Sequence, residues 1–201
     1  MAEYRFKTPL GEEDVRKLRV GDIVYLTGVI YTARDAAHRR IIEYIKENKP
    51  LPFNLKGAAI YHCGPVVAKK NDQWVVIAGG PTTSTRMDLY EYEVIEKLGV
   101  KMVIGKGGMG KRTAEACAKH SAVYATFTGG AGVLAAQSIK RVLDVYWLDL
   151  GIPEAVWVFE VEDFGPLVVA IDSTGRNLIE EVVEESIRRK NELLKKPLLR
   201  L

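Results

Sequence analysis

The sequence predicts an α/β fold in which a mixed sheet, or two sheets, is flanked by helices. Two observations predict it. Strand-like and helix-like segments alternate through the middle of the chain, which favours parallel strands joined by helices. After Pro153 the alternation stops, and β-like segments follow one another without a helix between them. A chain of 201 residues can bury a sizeable core, and we expect residues 1–201 to form a single domain.

The first quarter of the chain predicts a helix, a strand and a second helix. Residues Glu12–Leu18 are typical of a short helix, and Gly21–Thr32 alternates enough between apolar and polar residues to form a strand. Residues Arg34–Asn48 carry isoleucines at helical spacing with Asp35 in the first turn, and Pro50 ends this helix.

The middle of the chain predicts a strand pair followed by alternating elements. Residues Lys56–Val67 predict a strand, and a turn leads from it into a return strand, Trp74–Ala78. A helix is predicted over Thr82–Leu98, and Gly99 closes it. The alternating elements that follow are a strand at Val100–Ile104, a helix at Met109–Lys119, a strand at Ala122–Phe127 and a helix at Gly132–Val142.

The last quarter predicts extended segments and one helix. Residues Val145–Leu150 read as extended, Ala155–Val161 and Leu167–Ile171 as two β segments, and Asn177–Leu194 as a helix. This helix runs into a C-terminal helical tail, residues 181–201, in which basic residues and glutamates are mixed. That mixture indicates a solvated helix face rather than a nucleic-acid-binding arm.

The composition excludes several classes of function. The net charge is only +3 and the basic and acidic residues are interleaved, so no strong basic patch is expected for nucleic acid. No apolar run approaches the roughly 18 residues of a membrane span, and the N-terminus has no hydrophobic signal core. The two cysteines, Cys63 and Cys117, are too few for a disulfide framework. We therefore expect a cytoplasmic protein with no nucleic-acid or membrane partner.

Three segments resemble known nucleotide-binding or zinc-binding motifs, and each lacks one feature that the motif requires. Gly105–Arg112 nearly matches the phosphate loop of NTPases, but Arg112 stands where a hydroxyl should ligate magnesium. Gly130–Ala135 resembles the dinucleotide-binding fingerprint, but too few βα units follow it. Cys117 and His120 form half of a zinc site, and the sequence offers no second pair at ligand spacing. We therefore expect this chain to bind no nucleotide and no metal.

Cations and hydroxyls collect at the junctions where strands or turns give way to helices, which is where open α/β sheets bind ligands. Arg34 and His38 are four residues apart, on one helical face. Thr82–Thr85 is a hydroxyl run that can cap a helix and leave amides free for an anion, and Arg86 adds a bidentate carboxylate donor. Lys106 lies among glycines that permit close approach of a ligand.

Each of these residues has an ordinary structural explanation when it is taken alone, as an ion-pair partner, a helix cap, a solvated lysine or a structural hydrogen-bonding group. Their joint placement favours a small, multiply charged anion. A dicarboxylate suits the set better than a nucleotide, because no magnesium ligand set and no base-stacking aromatic residue is evident.

Six segments occur in a fixed order over about residues 5–180, namely YLTGVIYTARDAAHRR, HCGPVV, GPTTSTRMD, IGKGGMG, DLGIPEA and FGPLVVAIDSTGRNL. In this order they resemble the β subunit of class I (iron–sulfur) fumarate hydratases and the related β subunit of L(+)-tartrate dehydratases. GPTTSTRM and GKGGMG together are specific to this hydro-lyase group, and TARDAAH favours fumarase.

The resemblance implies a swivelling β/β/α-type domain and the reversible hydration of fumarate to L-malate. It also implies a [4Fe–4S] cluster held by three cysteines, which a chain with two cysteines cannot hold alone. A partner α subunit that binds the cluster, in an α2β2 assembly, is therefore implied. The resemblance assigns binding of the substrate carboxylates to Arg34, Arg86 and Lys106, proton removal to Thr82, and orientation of Arg34 to His38.

Two alternatives remain open at this point. The first is the β subunit of L(+)-tartrate dehydratase, which uses the same apparatus on another diacid. The second is an anion-binding module without catalytic activity, because the cluster cysteines are missing from this chain.

Overall fold

The computed structural model describes residues 1–195. Its strands, numbered in chain order, are β1 (Glu3–Lys7), β2 (Ile23–Thr32), β3 (Ala59–Tyr61), β4 (Val66–Lys70), β5 (Gln73–Ala78), β6 (Met102–Gly105), β7 (Val123–Thr126), β8 (Ile139–Tyr146) and β9 (Val156–Ile171). Strands β4 and β5 form a separate hairpin, and the other seven form one sheet in the order β1-β2-β3-β6-β7-β9-β8. The helices are α1 (Glu12–Lys17), α2 (Asp35–Lys46), α3 (Asp88–Leu98), α4 (Lys111–His120), α5 (Gly132–Ser138) and α6 (Leu178–Lys195).

The seven-stranded sheet closes on itself through its longest strand. Strands β2, β3, β6 and β7 run parallel, and β9 pairs antiparallel with both β7 and β2. Alternate residues of each strand point to opposite faces of a sheet, so the closed ring has an inner and an outer core. Tyr61 and Ile104 belong to the inner core, whereas Ile60 and Val103 belong to the outer one.

The outer core lies beneath three helices. Helices α2, α3 and α4 contribute buried side chains to it, among them Ile41, Val94 and Cys117. Helix α5 instead supplies Ala135 to the inner core. The predicted α/β class with a mixed sheet and flanking helices is thus confirmed.

Strand pairing overrides the local sequence pattern near both ends of the sheet. Residues Glu3–Lys7 form β1 beside β2, which the sequence did not predict. The helix predicted over Gly132–Val142 is wrong after Ser138, because the chain there pairs with β9 as strand β8. The predicted extended segment ends at Tyr146, and Leu148–Leu150 forms a short 3-10 turn.

Two further predictions have the right region but the wrong boundaries, and a third is confirmed. The strand predicted over Lys56–Val67 is broken after Tyr61, where the chain leaves the sheet and re-enters a hairpin. The two predicted C-terminal β segments form the single strand β9, which changes partners along its length. The predicted C-terminal helix is confirmed as α6, and residues 196–201 of the predicted tail lie outside the described residues.

Within the described part of the chain, no helix has both the length and the apolar character that crossing a bilayer requires.

Candidate functional site

Three loops leave the same edge of the sheet, and two of them carry the predicted site residues Arg34 and Lys106. Strands β2, β3 and β6 are parallel neighbours, so their carboxyl ends lie side by side. Arg34 follows β2, His62 follows β3 and Lys106 follows β6. Ligand sites in both open and closed α/β sheets form at the carboxyl ends of the parallel strands.

The hydroxyl loop, residues 80–87, packs directly against the Lys106 loop. Thr83 forms a parallel β-bridge with Lys106. The Lys106 amide donates to the Thr82 carbonyl at 3.2 Å, and the Ser84 amide donates to the Lys106 carbonyl at 3.0 Å. Arg86 donates from Nη2 to Thr82 Oγ1 at 2.8 Å. Thr82, Arg86 and Lys106 are therefore neighbours in space, as the sequence predicts.

Arg34 joins this group through its neighbour along the chain. Asp35 Oδ2 lies 3.0 Å from Arg86 Nη2, so the first residue of α2 contacts the hydroxyl loop. The Arg34 guanidinium lies 3.3 Å from Glu154 Oε1, measured from Nε. It also passes over Gly64, where an added Cβ would lie 2.6 Å from Arg34 Nη1. Gly64 is therefore required as glycine for Arg34 to lie in this position.

One expectation about the hydroxyl run is wrong. The sequence suggested that Thr82–Thr85 cap a helix and leave amides free for an anion. A 3-10 turn, Ser84–Met87, precedes α3, and its N-cap residue Thr83 makes no side-chain capping bond. The Thr82 amide donates to the His62 carbonyl at 2.7 Å, and the Ser84 amide is also engaged. This loop can therefore recognise an anion through its side chains, but the amides of Thr82 and Ser84 are occupied.

His38 does not lie at the surface of the site. It is fully buried on α2, and its Nδ1 lies 2.8 Å from the Arg34 carbonyl oxygen. Its Nε2 lies 2.9 Å from Glu91 Oε1 of α3. The same carboxylate oxygen lies 2.7 Å from His62 Nε2, and His62 Nδ1 lies 2.9 Å from Ser84 Oγ. His38 therefore lies behind Arg34, in a buried polar cluster with Glu91 and His62.

Burial and close charged partners shift the pKa values of this cluster in opposite directions. Burial would raise the pKa of Glu91, but the positive charge of His38 and the close contacts of both histidines lower it to about 2. Burial would lower the pKa of His38, but the Glu91 carboxylate outweighs it and the pKa is raised. Burial dominates for His62 and lowers its pKa despite the bond from Glu91. These directions favour the charged form of Glu91 and of His38 and the neutral form of His62.

Sequence reasoning missed Glu91 and His62, and it considered Ser84 only as a member of the hydroxyl run Thr82–Thr85. The missed signal was on α3, where Glu91 occupies a position of the same face as the buried residues Val94 and Ile95. A carboxylate on the buried face of a helix requires a buried partner.

The phosphate-loop resemblance of Gly105–Arg112 ends at the start of α4. Asp88 Oδ1 accepts from the Gly110 amide at 2.8 Å and from Thr113 Oγ1 at 2.6 Å. A carboxylate thus occupies the helix N-terminus where a phosphate would bind. Arg112 points instead to Glu93 on the surface.

The two cysteines cannot share one cluster. Cys63 is buried in the inner core and Cys117 in the outer core, on opposite faces of the sheet. Burial raises the pKa of the Cys63 thiol to about 12 and also raises that of Cys117. Cluster ligation needs thiolates that converge on one point, so the family's [4Fe–4S] cluster does not fit this chain alone.

The cation group lies on open surface. Arg86 is 46% exposed in its side chain, and Thr83 and Thr85 are exposed as well. Five surface cavities in residues 1–195 are lined by other residues, such as the one between the C-terminal ends of α2 and α3. Arg86 is therefore accessible to a ligand or a second chain, while Arg34 is partly buried against Glu154 and contacts Arg86 only through its neighbour Asp35.

Comparisons with known proteins show the family to which this chain belongs. Residues 3–182 match the family model described as the fumarase C-terminus. The L(+)-tartrate dehydratase subunit beta of Escherichia coli strain K12 is 49% identical over 174 residues, which cover 87% of this chain and 85% of that protein. A protein of Methanocaldococcus jannaschii named "Putative L(+)-tartrate dehydratase subunit beta" is 50% identical over 193 residues, covering 96% of this chain and 98% of its own length. A "Putative fumarate hydratase class I" of Geobacillus stearothermophilus is 42% identical over 184 residues, which are 91% of this chain but 35% of that protein.

Proposed function

The chain belongs to the fumarase C-terminus family of class I hydro-lyases, and on that premise we propose that it is the β subunit of a fumarate hydratase. In this proposal it adds water reversibly to fumarate to give L-malate, together with an α subunit. The observation that carries the proposal is the contact group of Thr82, Arg86 and Lys106, with Arg34 one residue from the Asp35 that holds Arg86.

The cations of this group suit a dicarboxylate. Two arginines present planar donors that match carboxylate geometry, and Lys106 adds a compact charge. Asp35 and Glu154 hold Arg86 and Arg34 in place before substrate arrives. Fixed cations stabilise the additional negative charge that develops on a carboxylate when a neighbouring C–H bond is broken, without reorganising at that moment.

Thr82 is the proposed proton acceptor. A threonine hydroxyl is a very weak base unless its alkoxide is stabilised. The bond from Arg86 Nη2 to Thr82 Oγ1 provides one such stabilising contact, since a guanidinium only donates. The hydroxyl proton of Thr82 is not used in this bond and is available to be lost or to bind substrate.

The remainder of the active site is assigned to a partner. The buried cysteines of this chain do not fit a [4Fe–4S] cluster, so we assign the cluster to an α subunit, in an α2β2 assembly. The open surface around Arg86 is consistent with a site that a second chain covers.

A second substrate has support from the names of the relatives. The Escherichia coli relative is named as an L(+)-tartrate dehydratase subunit, and tartrate presents the same two carboxylates as malate with one more hydroxyl. The same residues would bind either diacid. An anion-binding module without catalysis is the third possibility, and it predicts tight binding of malate by the chain alone.

The test is anaerobic co-expression of the full chain with a candidate α subunit that carries three cluster cysteines. Turnover of L-malate and L-tartrate by the purified pair is compared, with fumarate followed by absorbance. Preference for L-malate supports the proposal, whereas preference for L-tartrate would show that the pair is a tartrate dehydratase. The chain alone should contain no iron and show no visible absorbance. A cluster bound to the chain alone would contradict the assignment of the cluster to the α subunit.

One substitution pair tests the role of Thr82 in that assay. Thr82→Val removes the hydroxyl at nearly constant volume and should lower kcat by about 10²-fold or more, the scale of a lost general base. Thr82→Ser keeps the hydroxyl and should retain most activity. The exposed neighbour Thr83 gives the matched control, Thr83→Val. A Thr82→Val enzyme with a higher KM but an unchanged kcat would assign Thr82 to substrate binding only.

A further inference from the structure

A buried polar cluster lies behind the proposed substrate-binding surface, and we call it the His38–Glu91–His62 triad. All three side chains are fully buried. Both histidine Nε2 atoms approach the same oxygen, Glu91 Oε1, at 2.9 Å and 2.7 Å. The two imidazole rings meet edge to face with centroids 5.3 Å apart.

Hydrogen-bond accounting assigns the protons of the triad. The Arg34 carbonyl can only accept, so the His38 Nδ1 that faces it at 2.8 Å carries a proton. His38 Nε2 faces a carboxylate oxygen, in a close ion-pair contact rather than a well-aligned hydrogen bond, and therefore carries a proton too. His62 donates from Nε2 to Glu91, and its Nδ1 can accept from the Ser84 hydroxyl. The geometry therefore favours a doubly protonated His38 and a His62 that is protonated on Nε2.

The triad connects all three loops of the proposed site. Through His38 it holds the carbonyl of Arg34. Through His62 it holds Ser84, which lies between Thr82 and Arg86, and the His62 carbonyl also accepts the Thr82 amide. Ser84 Oγ in turn packs on Gly105, where an added Cβ would lie only 1.9 Å from it. Gly105 precedes Lys106 in the chain.

A metal centre is the competing explanation, since the ligand atoms of His38, His62 and Glu91 lie within 4.8 Å of one another. Two ligands of one tetrahedral zinc lie about 3.3 Å apart, given metal–ligand bonds of about 2.0 Å. The two separations of 2.7 Å and 2.9 Å between nitrogen and Glu91 Oε1 are hydrogen-bond distances instead. The distances therefore favour direct contacts between the histidines and Glu91 over a metal ion bound among them.

We propose that the His38–Glu91–His62 triad is a positioning unit, which fixes the Arg34 loop and the Thr82–Arg86 loop relative to each other through a buried imidazolium–carboxylate pair. Its role in turnover rests on the proposed function, but its charge state and its effect on loop position do not. Removing the Glu91 charge takes away the counter-charge of the buried imidazolium, so that His38 neutralises by losing a proton and the pair is lost. The loops would then shift together with the groups that the triad bonds.

The test uses the full chain and the variant Glu91→Gln, which keeps the shape and removes the charge. Glu93→Gln is the matched control, because Glu93 lies on the same helix and pairs with Arg112 at the surface. Imidazole nitrogen NMR of the wild type should show His38 protonated on both nitrogens at pH 7.5 and His62 on Nε2 only. The other ionisable groups near the triad, Asp35, Tyr90, Cys117 and Tyr124, are unchanged in both variants.

Four results decide the proposal. In Glu91→Gln, His38 should lose one proton and the Thr82 methyl and Arg86 Nε resonances should shift, whereas Glu93→Gln should leave both signals in place. A neutral His38 in the wild type, bound zinc in the purified protein, or unmoved Thr82 and Arg86 signals in Glu91→Gln would each overturn it. If Glu91→Gln fails to fold, Ser84→Ala removes only the terminal bond and should shift the His62 nitrogens and the Thr82 methyl.

Turnover with the α subunit provides the second readout. Glu91→Gln should lower kcat/KM by about 10²-fold, since a shift of about 1 Å in a positioned group has that cost, while Glu93→Gln stays near wild type. Unchanged kcat/KM in Glu91→Gln would overturn the positioning role. If the wild-type pair turns over neither diacid, the proposed function fails, and the NMR signals still decide the proposal about the triad.

Discussion

Gly105→Ala tests the contact between the glycine loop and the buried triad. An alanine Cβ at this position would lie 1.9 Å from Ser84 Oγ and 3.1 Å from His62 Nδ1. Ser84 must then rotate away, which leaves a buried His62 nitrogen without its donor. An unsatisfied buried polar group costs about 1–3 kcal/mol. For a chain of this size that loss lowers Tm by roughly 2–12 °C.

The explanation makes a sharper prediction for the double mutant. Ser84→Ala removes the same hydrogen bond and also the atom that clashes, so the two substitutions should not be additive. The double mutant Ser84→Ala/Gly105→Ala should have nearly the same unfolding midpoint as Ser84→Ala alone in a thermal or urea titration. Gly79→Ala is the control, since its Cβ would meet no atom closer than 3.5 Å. Fully additive losses would refute the reasoning, as would a Gly105→Ala protein as stable as Gly79→Ala.

Three further predictions follow from the same contacts. Arg86→Lys keeps the charge but loses the planar fork, so kcat/KM of the assembled enzyme should fall by about 10²-fold, while Arg39→Lys on an exposed position of α2 should not change it. Asp88→Asn weakens the carboxylate cap of α4 and should lower the free energy of unfolding by about 0.5–2 kcal/mol, measured in urea; an unchanged midpoint would contradict the capping role. The stability difference between wild type and Glu91→Gln should be largest between about pH 4.5 and 6.5. It is lost as pH falls toward the Glu91 pKa of about 2 and as pH rises through the raised pKa of His38. A stability difference that does not change with pH would exclude the ion pair.

The sequence predicted those parts of the fold in which local pattern and tertiary structure agree. Helix α2 and strand β2 have clear periodicity and were placed within two residues. The first part of strand β8 was predicted as helix, because Ile139 and Val142 have a spacing that a helix face also shows, whereas its end, from Val145, was predicted as extended. Their packing against the inner core depends on pairing with β9, and a distant partner strand leaves no mark on the local pattern.

The surface part of the candidate site was predictable, and its buried part was not. Cations and hydroxyls at helix entries are visible in the sequence because few other positions place them together, and Thr82, Arg86 and Lys106 are indeed neighbours. Glu91 and His62 act through a contact between α3 and the end of β3, 29 residues apart in the chain. Only the three-dimensional structure brings such residues together.

The charge balance of the candidate site explains why this chain should need a partner for catalysis. Three cations, Arg34, Arg86 and Lys106, face two carboxylates, Asp35 and Glu154, that hold the arginines in place. One net positive charge is left to meet a substrate that carries two negative charges and gains further negative charge on one carboxylate as the C–H bond breaks. On an open surface, salt and water screen that single charge. Stabilising the transition state therefore requires a second source of positive charge and a cover that excludes water, and we infer that an α subunit supplies both.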